Sequence, residues 1–140
     1  MDDILKHIVR YWSFLWLGAR YRIIDSMVST HFGGDAYLVV ASDSLRLRFV
    51  RDRGQLFLDL QPAWAAKQAE WYSSDLVHRL VVKKTLESAE LSDRVVRFFS
   101  ENLRDIEALF ATREAFKVTK VELDRLKNIR AKEMFPKGEA

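Results

Sequence analysis

The stretch Tyr37–Leu60, YLVVASDSLRLRFVRDRGQLFLDL, decides the fold. Two clusters of turn-forming residues, Ser42-Asp43-Ser44 and Asp52-Arg53-Gly54, divide it into three short apolar runs. Runs of this length and spacing predict strands over Tyr37–Ala41, Leu45–Val50 and Gln55–Leu60, joined by tight turns. Successive side chains of a strand point to opposite faces, so Leu45, Leu47 and Phe49 share one side while Arg46, Arg48 and Val50 share the other. Leu56, Leu58 and Leu60 oppose Phe57 and Asp59 in the same way. One face is therefore core. The other carries Arg46, Arg48 and Asp59, and its opposite charges predict pairing between neighbouring strands.

Upstream, Tyr21–Thr30, YRIIDSMVST, is rich in β-branched residues and predicts a further strand. It leads into His31-Phe32-Gly33-Gly34-Asp35, a turn whose paired glycines take positive φ without steric cost. Before it, Ile4, Leu5, Ile8, Trp12, Leu15 and Trp16 recur at helical spacing and Gly18 follows, which predicts a helix over 3–17. Pro62 closes the sheet region, and 63–70 reads as a short helix. Ser73 or Ser74, with Asp75 behind it, caps a helix that carries Leu76, Val77, Leu80 and Val81 to about Thr85. Ser92 caps the clearest helix, whose stripe is Val95, Phe98, Phe99, Leu103, Ile106, Leu109 and Phe110. A more exposed terminal helix covers Val118–Met134, with Val121, Leu123, Leu126 and Ile129 apolar, and Phe135-Pro136-Lys137-Gly138 stops it. The expectation is one α+β domain over 1–140: an N-terminal helix, a four-stranded antiparallel meander, then three or four helices packed on one face of the sheet. The tail at about 136–140 is expected to be loose.

Composition narrows the function classes. With 49% hydrophobic residues in 140, the chain can bury one sizeable core. Its 23 basic and 20 acidic residues nearly cancel to +3, which leaves little field to attract phosphate. The absence of cysteine removes disulfides, thiol catalysis and thiolate metal sites, and fits a reducing, cytoplasmic setting. The apolar run Ile8–Ala19 is interrupted by Arg10 and falls short of the roughly 20 residues a membrane span needs. Asp2 and Asp3 stand where a signal peptide carries positive charge, so a buried helix is expected there.

No segment carries a catalytic signature. His7, His31 and His78 are scattered, outside any metal-ligand spacing, and no serine sits in G-x-S-x-G. Asp75 and His78 lie three apart on a predicted helix, the kind of pair a general base uses. A carboxylate in a first helical turn is also ordinary, because it stabilises free backbone N–H groups. The His31–Asp35 loop lacks the lysine and serine of a phosphate cradle. No catalytic residue, metal or cofactor is assigned, and a non-enzyme is expected. Large aromatics clustered between sheet and helices, Trp64, Trp71 and Tyr72, are candidate interface anchors, with Arg46, Arg48, Arg51 and Arg53 placed to steer an acidic partner. Alternatively, Arg46 and Arg48 beside Tyr37 and Phe57 form a face for single-stranded nucleic acid, although Asp59 would repel phosphate. Homodimerisation through the first or the terminal helix stays open.

The order of Gly33-Gly34-Asp35, the string SDSLRLRFVRDRGQLFLD, Trp71-Tyr72 and a capped helix resembles small bacterial immunity proteins encoded beside polymorphic or contact-dependent toxins. The likeness covers about residues 20–82 and carries no toxin-binding residue with it. It implies a non-enzymatic cytoplasmic protein that blocks one cognate toxin by binding it.

Overall fold

The computed structural model describes residues 1–29 and 35–135. The predicted turn at 31–34 and the tail at 136–140 lie outside them. Helix α1 (Asp2–Tyr11) is followed by a 3-10 turn (Ser13–Trp16) and then by strands β1 (Arg22–Val28), β2 (Ala36–Ala41), β3 (Leu45–Asp52), β4 (Gln55–Pro62) and β5 (Tyr72–Ser73). Helices α2 (Ser74–Val82), α3 (Asp93–Phe110) and α4 (Arg113–Met134) complete the chain. The α+β architecture and the antiparallel meander are as expected. The strand count is not, because β5 pairs its two residues with Asp59 and Leu60 and makes the sheet five-stranded, in the order β1-β2-β3-β4-β5.

The β3–β4 turn follows from two backbone angles. Arg53 and Gly54 both take positive φ, 52° and 81°, as a two-residue hairpin of the right twist requires. Glycine adopts this freely and arginine does not. The Asp35 carboxylate holds the strained residue in place by accepting its N–H at 3.1 Å.

Packing decides the remaining differences. Leu45, Leu47, Phe49, Leu58 and Leu60 are all buried beneath the helices, as alternation demanded. The first helix stops at Tyr11 instead of running to 17. Trp12 leaves it with φ −116° and turns its fully buried ring between Phe49 of β3 and Phe99 of α3, with centroids 5.1 and 5.6 Å away. The predicted helix at 63–70 is instead a chain of turns, and three helices, not four, follow the sheet. Helix α2 ends at Val82, where Lys83 takes the left-handed conformation. Ser92 caps α3 as predicted, its hydroxyl accepting from the Val95 N–H. Helix α4 begins earlier than expected because Thr112 caps it in the same way, by accepting from the Ala115 N–H. Within α3, Asn102 has non-helical angles, and its side-chain amide donates to the Phe98 carbonyl, the acceptor a regular helix gives to that residue's own N–H.

No helix among the described residues is long and apolar enough to cross a membrane. Two histidines, the buried His78 and the half-buried His7, make stability depend on pH. His7 and His78 both have their pKa lowered, chiefly by burial; for His78, Arg94 adds to this while the Lys84 backbone and Asp75 oppose it. The unfolded chain therefore binds these protons near pH ~6.5 while the folded chain resists them, so stability falls as pH drops below that point. The urea midpoint is expected to decline between about pH 7.5 and 5.5, and a His7→Gln, His78→Gln variant to flatten the slope. An unchanged slope would remove these histidines as its cause.

Candidate functional site

Helices cover one face of β2, β3 and β4; the opposite face is walled in part by the connection 63–71, and its register sets three rows of side chains side by side. Arg22, Ala41, Arg46 and Gln61 form one row, Asp25, Val39, Arg48 and Asp59 the next, and Met27, Tyr37, Val50 and Phe57 the third. The face thus grades from cationic at one end, through alternating charge, to apolar at the other. Ala41 is the smallest side chain of the first row. A hollow of about 330 Å³ lies on this face, bounded by Ile24 and Asp25 on the β1 side and by Lys67 and Trp71 on the other.

The connection 63–71 builds the far wall. Arg46 donates to the Gln61 side chain and to the Ala63 carbonyl, both at 2.7 Å, and the buried Gln61 amide donates to the Ala69 carbonyl at 2.8 Å. These bonds hold the connection against the sheet and bring Trp71 over Arg48, whose guanidinium lies 4.3 Å from the ring centroid. Arg48 also donates to Asp59 at 2.9 Å, the cross-strand pair expected from alternation. Burial pushes the Asp59 carboxyl up and Arg48 pulls it back.

Charge compensation is uneven across the face. Arg48 has Asp59, whereas Arg46 directs its donors at neutral acceptors, and neither Arg22 nor Lys67 has an ion-pair partner among the described residues. Asp25, in the second row, accepts from the Tyr37 hydroxyl at 3.3 Å. The larger hollow of about 620 Å³ beside α2 and the end of α4 differs, because its charges cancel: Arg130 bonds both oxygens of Asp75, and Arg79 pairs with Glu133.

The candidate residues separate into two groups. Arg46, Arg48 and Trp71 meet at the hollow. Trp64 sits on the helix side, edge-on to Phe116, and donates to the Phe110 carbonyl at 2.9 Å. Tyr72 is buried; its hydroxyl donates to Asp124 and accepts from Lys120, and burial raises its pKa. Arg51 points to the helix side and pairs with Asp3 of α1 at 2.8 Å. Arg53 stands exposed at the β3–β4 turn. Asp75 serves Arg130 and the Ser73 hydroxyl, while the His78 ring is buried edge-on to Phe98 at 5.0 Å; no hydrogen bond joins the two among the described residues. His31 lies outside the described residues. No cluster of metal-binding side chains occurs among the described residues.

The sequence reading missed Arg22 and Lys67. Only register shows that Arg22 shares a row with Arg46, and only the folded connection brings Lys67 to the hollow. In comparisons with known proteins, no family model, no curated protein and no solved structure matches the chain.

Proposed function

We propose that this chain is a non-catalytic binding protein that grips a protein partner with the open face of its sheet. In line with the immunity-protein resemblance, the partner is a cognate toxin that it neutralises by contact. The observation that supports this most is Trp71, a half-buried indole stacked on Arg48 beside a hollow with apolar side chains at one end and uncompensated cations at the other. Large aromatics and arginine at the centre of a patch, with a charged rim, are the composition of an interface hot spot. Trp64, Tyr72 and Arg51 then serve the fold, and Trp71, Arg46 and Arg48 remain as the contact set.

The test is co-expression with the product of the neighbouring gene. A one-to-one complex and relief of growth arrest are expected, and Trp71→Ala should weaken the complex by at least about 2 kcal/mol, roughly 30-fold. No complex and no protection would reject the reading. The nucleic-acid alternative draws on the same arginines, but Arg48 is already paired with Asp59. It predicts single-strand affinity that falls steeply with added salt.

A further inference from the structure

We infer that β1 is a docking edge for an extended, acidic segment of the partner protein, which adds to the five-stranded sheet as an outer strand. This rests on the protein-binding reading above and specifies the partner's contribution. Among the described residues strand β1 pairs only with β2, so one of its edges presents N–H and C=O groups to no other described strand. All seven of its residues are exposed, among them Ile23 at 57% and Val28 at 56%, with Ile24 and Met27 also open. Edge strands in soluble proteins are normally kept short, charged or covered. This one runs for seven residues, four of them apolar, with a register shift between Ile23 and Asp25 and charge at Arg22 and Asp25 alone.

Three observations select the occupant. A ladder of alternating donors and acceptors is matched by another polypeptide strand, and nucleic acid has no equivalent. Charge then fixes the chemistry: Arg22 on β1, with Arg46 and Lys67 beyond it, forms a positive end without a carboxylate partner among the described residues. An acidic side chain of the added strand belongs opposite Arg22. Apolar side chains belong opposite Met27, where Tyr37 and Phe57 continue the row, and opposite Ile23 and Val28 on the other face. A second copy of the chain fits poorly, because two-fold pairing about the midpoint of Arg22–Val28 sets Asp25 against Asp25 and joins two molecules of net charge +3.

Panning the intact chain against displayed random peptides of about 12 residues, longer than a typical strand, tests this. The enriched peptides should alternate apolar residues and carry an acidic one, and their binding should slow hydrogen exchange at the outward amides of β1. Arg22→Glu and Met27→Lys, both at exposed positions, should keep the circular dichroism spectrum and lower peptide affinity by about tenfold each. Enriched peptides without an acidic residue, or no enrichment, would overturn the inference. Peptides that protect the Trp71 wall while β1 exchange stays unchanged would overturn it and leave the protein-binding reading standing. Sedimentation of the free chain as a dimer with β1 protected would overturn it in favour of a second copy.

Discussion

Replacing Glu107 by alanine is expected to remove about 3 kcal/mol of stability, a large part of the total for a domain of this size. Glu107 lies on α3 with only 6% of its side chain exposed, and its Oε2 accepts from the Arg20 guanidinium and the Tyr21 hydroxyl, each at 2.7 Å. Alanine would leave a buried phenol without its carboxylate acceptor, with Ser42 as its remaining side-chain contact, and a guanidinium without its counter-ion. Arg20 retains a third of its exposure, which keeps the cost at the lower end for a broken pair. Arg20 and Tyr21 directly precede β1, so the same change should speed amide exchange in the β1–β2 hairpin before the rest of the chain. Pairing Glu107→Leu with Tyr21→Phe should recover part of the loss, because an apolar pair leaves no hydroxyl or carboxylate unsatisfied there. A urea midpoint for Glu107→Ala equal to that of the parent would show that the contact does not form in solution.

The second large effect is expected at Trp12, where alanine should cost about 3–5 kcal/mol. The indole is fully buried, edge-on to Phe49 of β3, tilted against Phe99 of α3, and 5.2 Å from Phe14. It joins α1, the sheet and α3 at one point, and no single neighbour can collapse into the space it would leave. Its Nε1 has no hydrogen-bond partner among the described residues, so phenylalanine loses volume and no bond. Trp12→Phe should therefore cost about 1–2 kcal/mol. If alanine and phenylalanine proved equally damaging, some property of the indole other than its volume would be responsible.

Most of the sheet was legible because alternation is a local signal. Leu45 to Phe49 and Leu58 to Leu60 declare their buried face within a few residues, and Arg53-Gly54 declares the turn between them. The stripe on α3 was legible for the same reason. What escaped depends on contacts distant in sequence. The run from Ile4 to Trp16 is periodic enough for one helix, and it breaks because the Trp12 ring is claimed by Phe49 and Phe99. Strand β5 is too short to carry a period of its own, and pairing with Asp59 and Leu60 alone defines it. Glu107 borders the apolar stripe of its helix, one turn from Leu103 and Phe110, and nothing near it announces a partner 86 residues away.

The sheet face proposed as the contact surface was half legible. Arg46 and Arg48 followed from alternation, and Trp71 from its place in the aromatic cluster between sheet and helices. That Trp64 and Tyr72 turn to the helices while Trp71 turns to the open face depends on the path of 63–71, which Arg46 and Gln61 pin. The sequence did not show which strand stands at the edge, since meander order alone leaves both ends eligible.

Because none of β1's side chains is buried, the ribbon from Arg22 to Val28 is almost decoupled from what makes the chain fold. Substitutions at exposed positions usually stay within about 0.5 kcal/mol. Lineages descended from this chain are thus free to rewrite that ribbon repeatedly while inheriting the same scaffold intact.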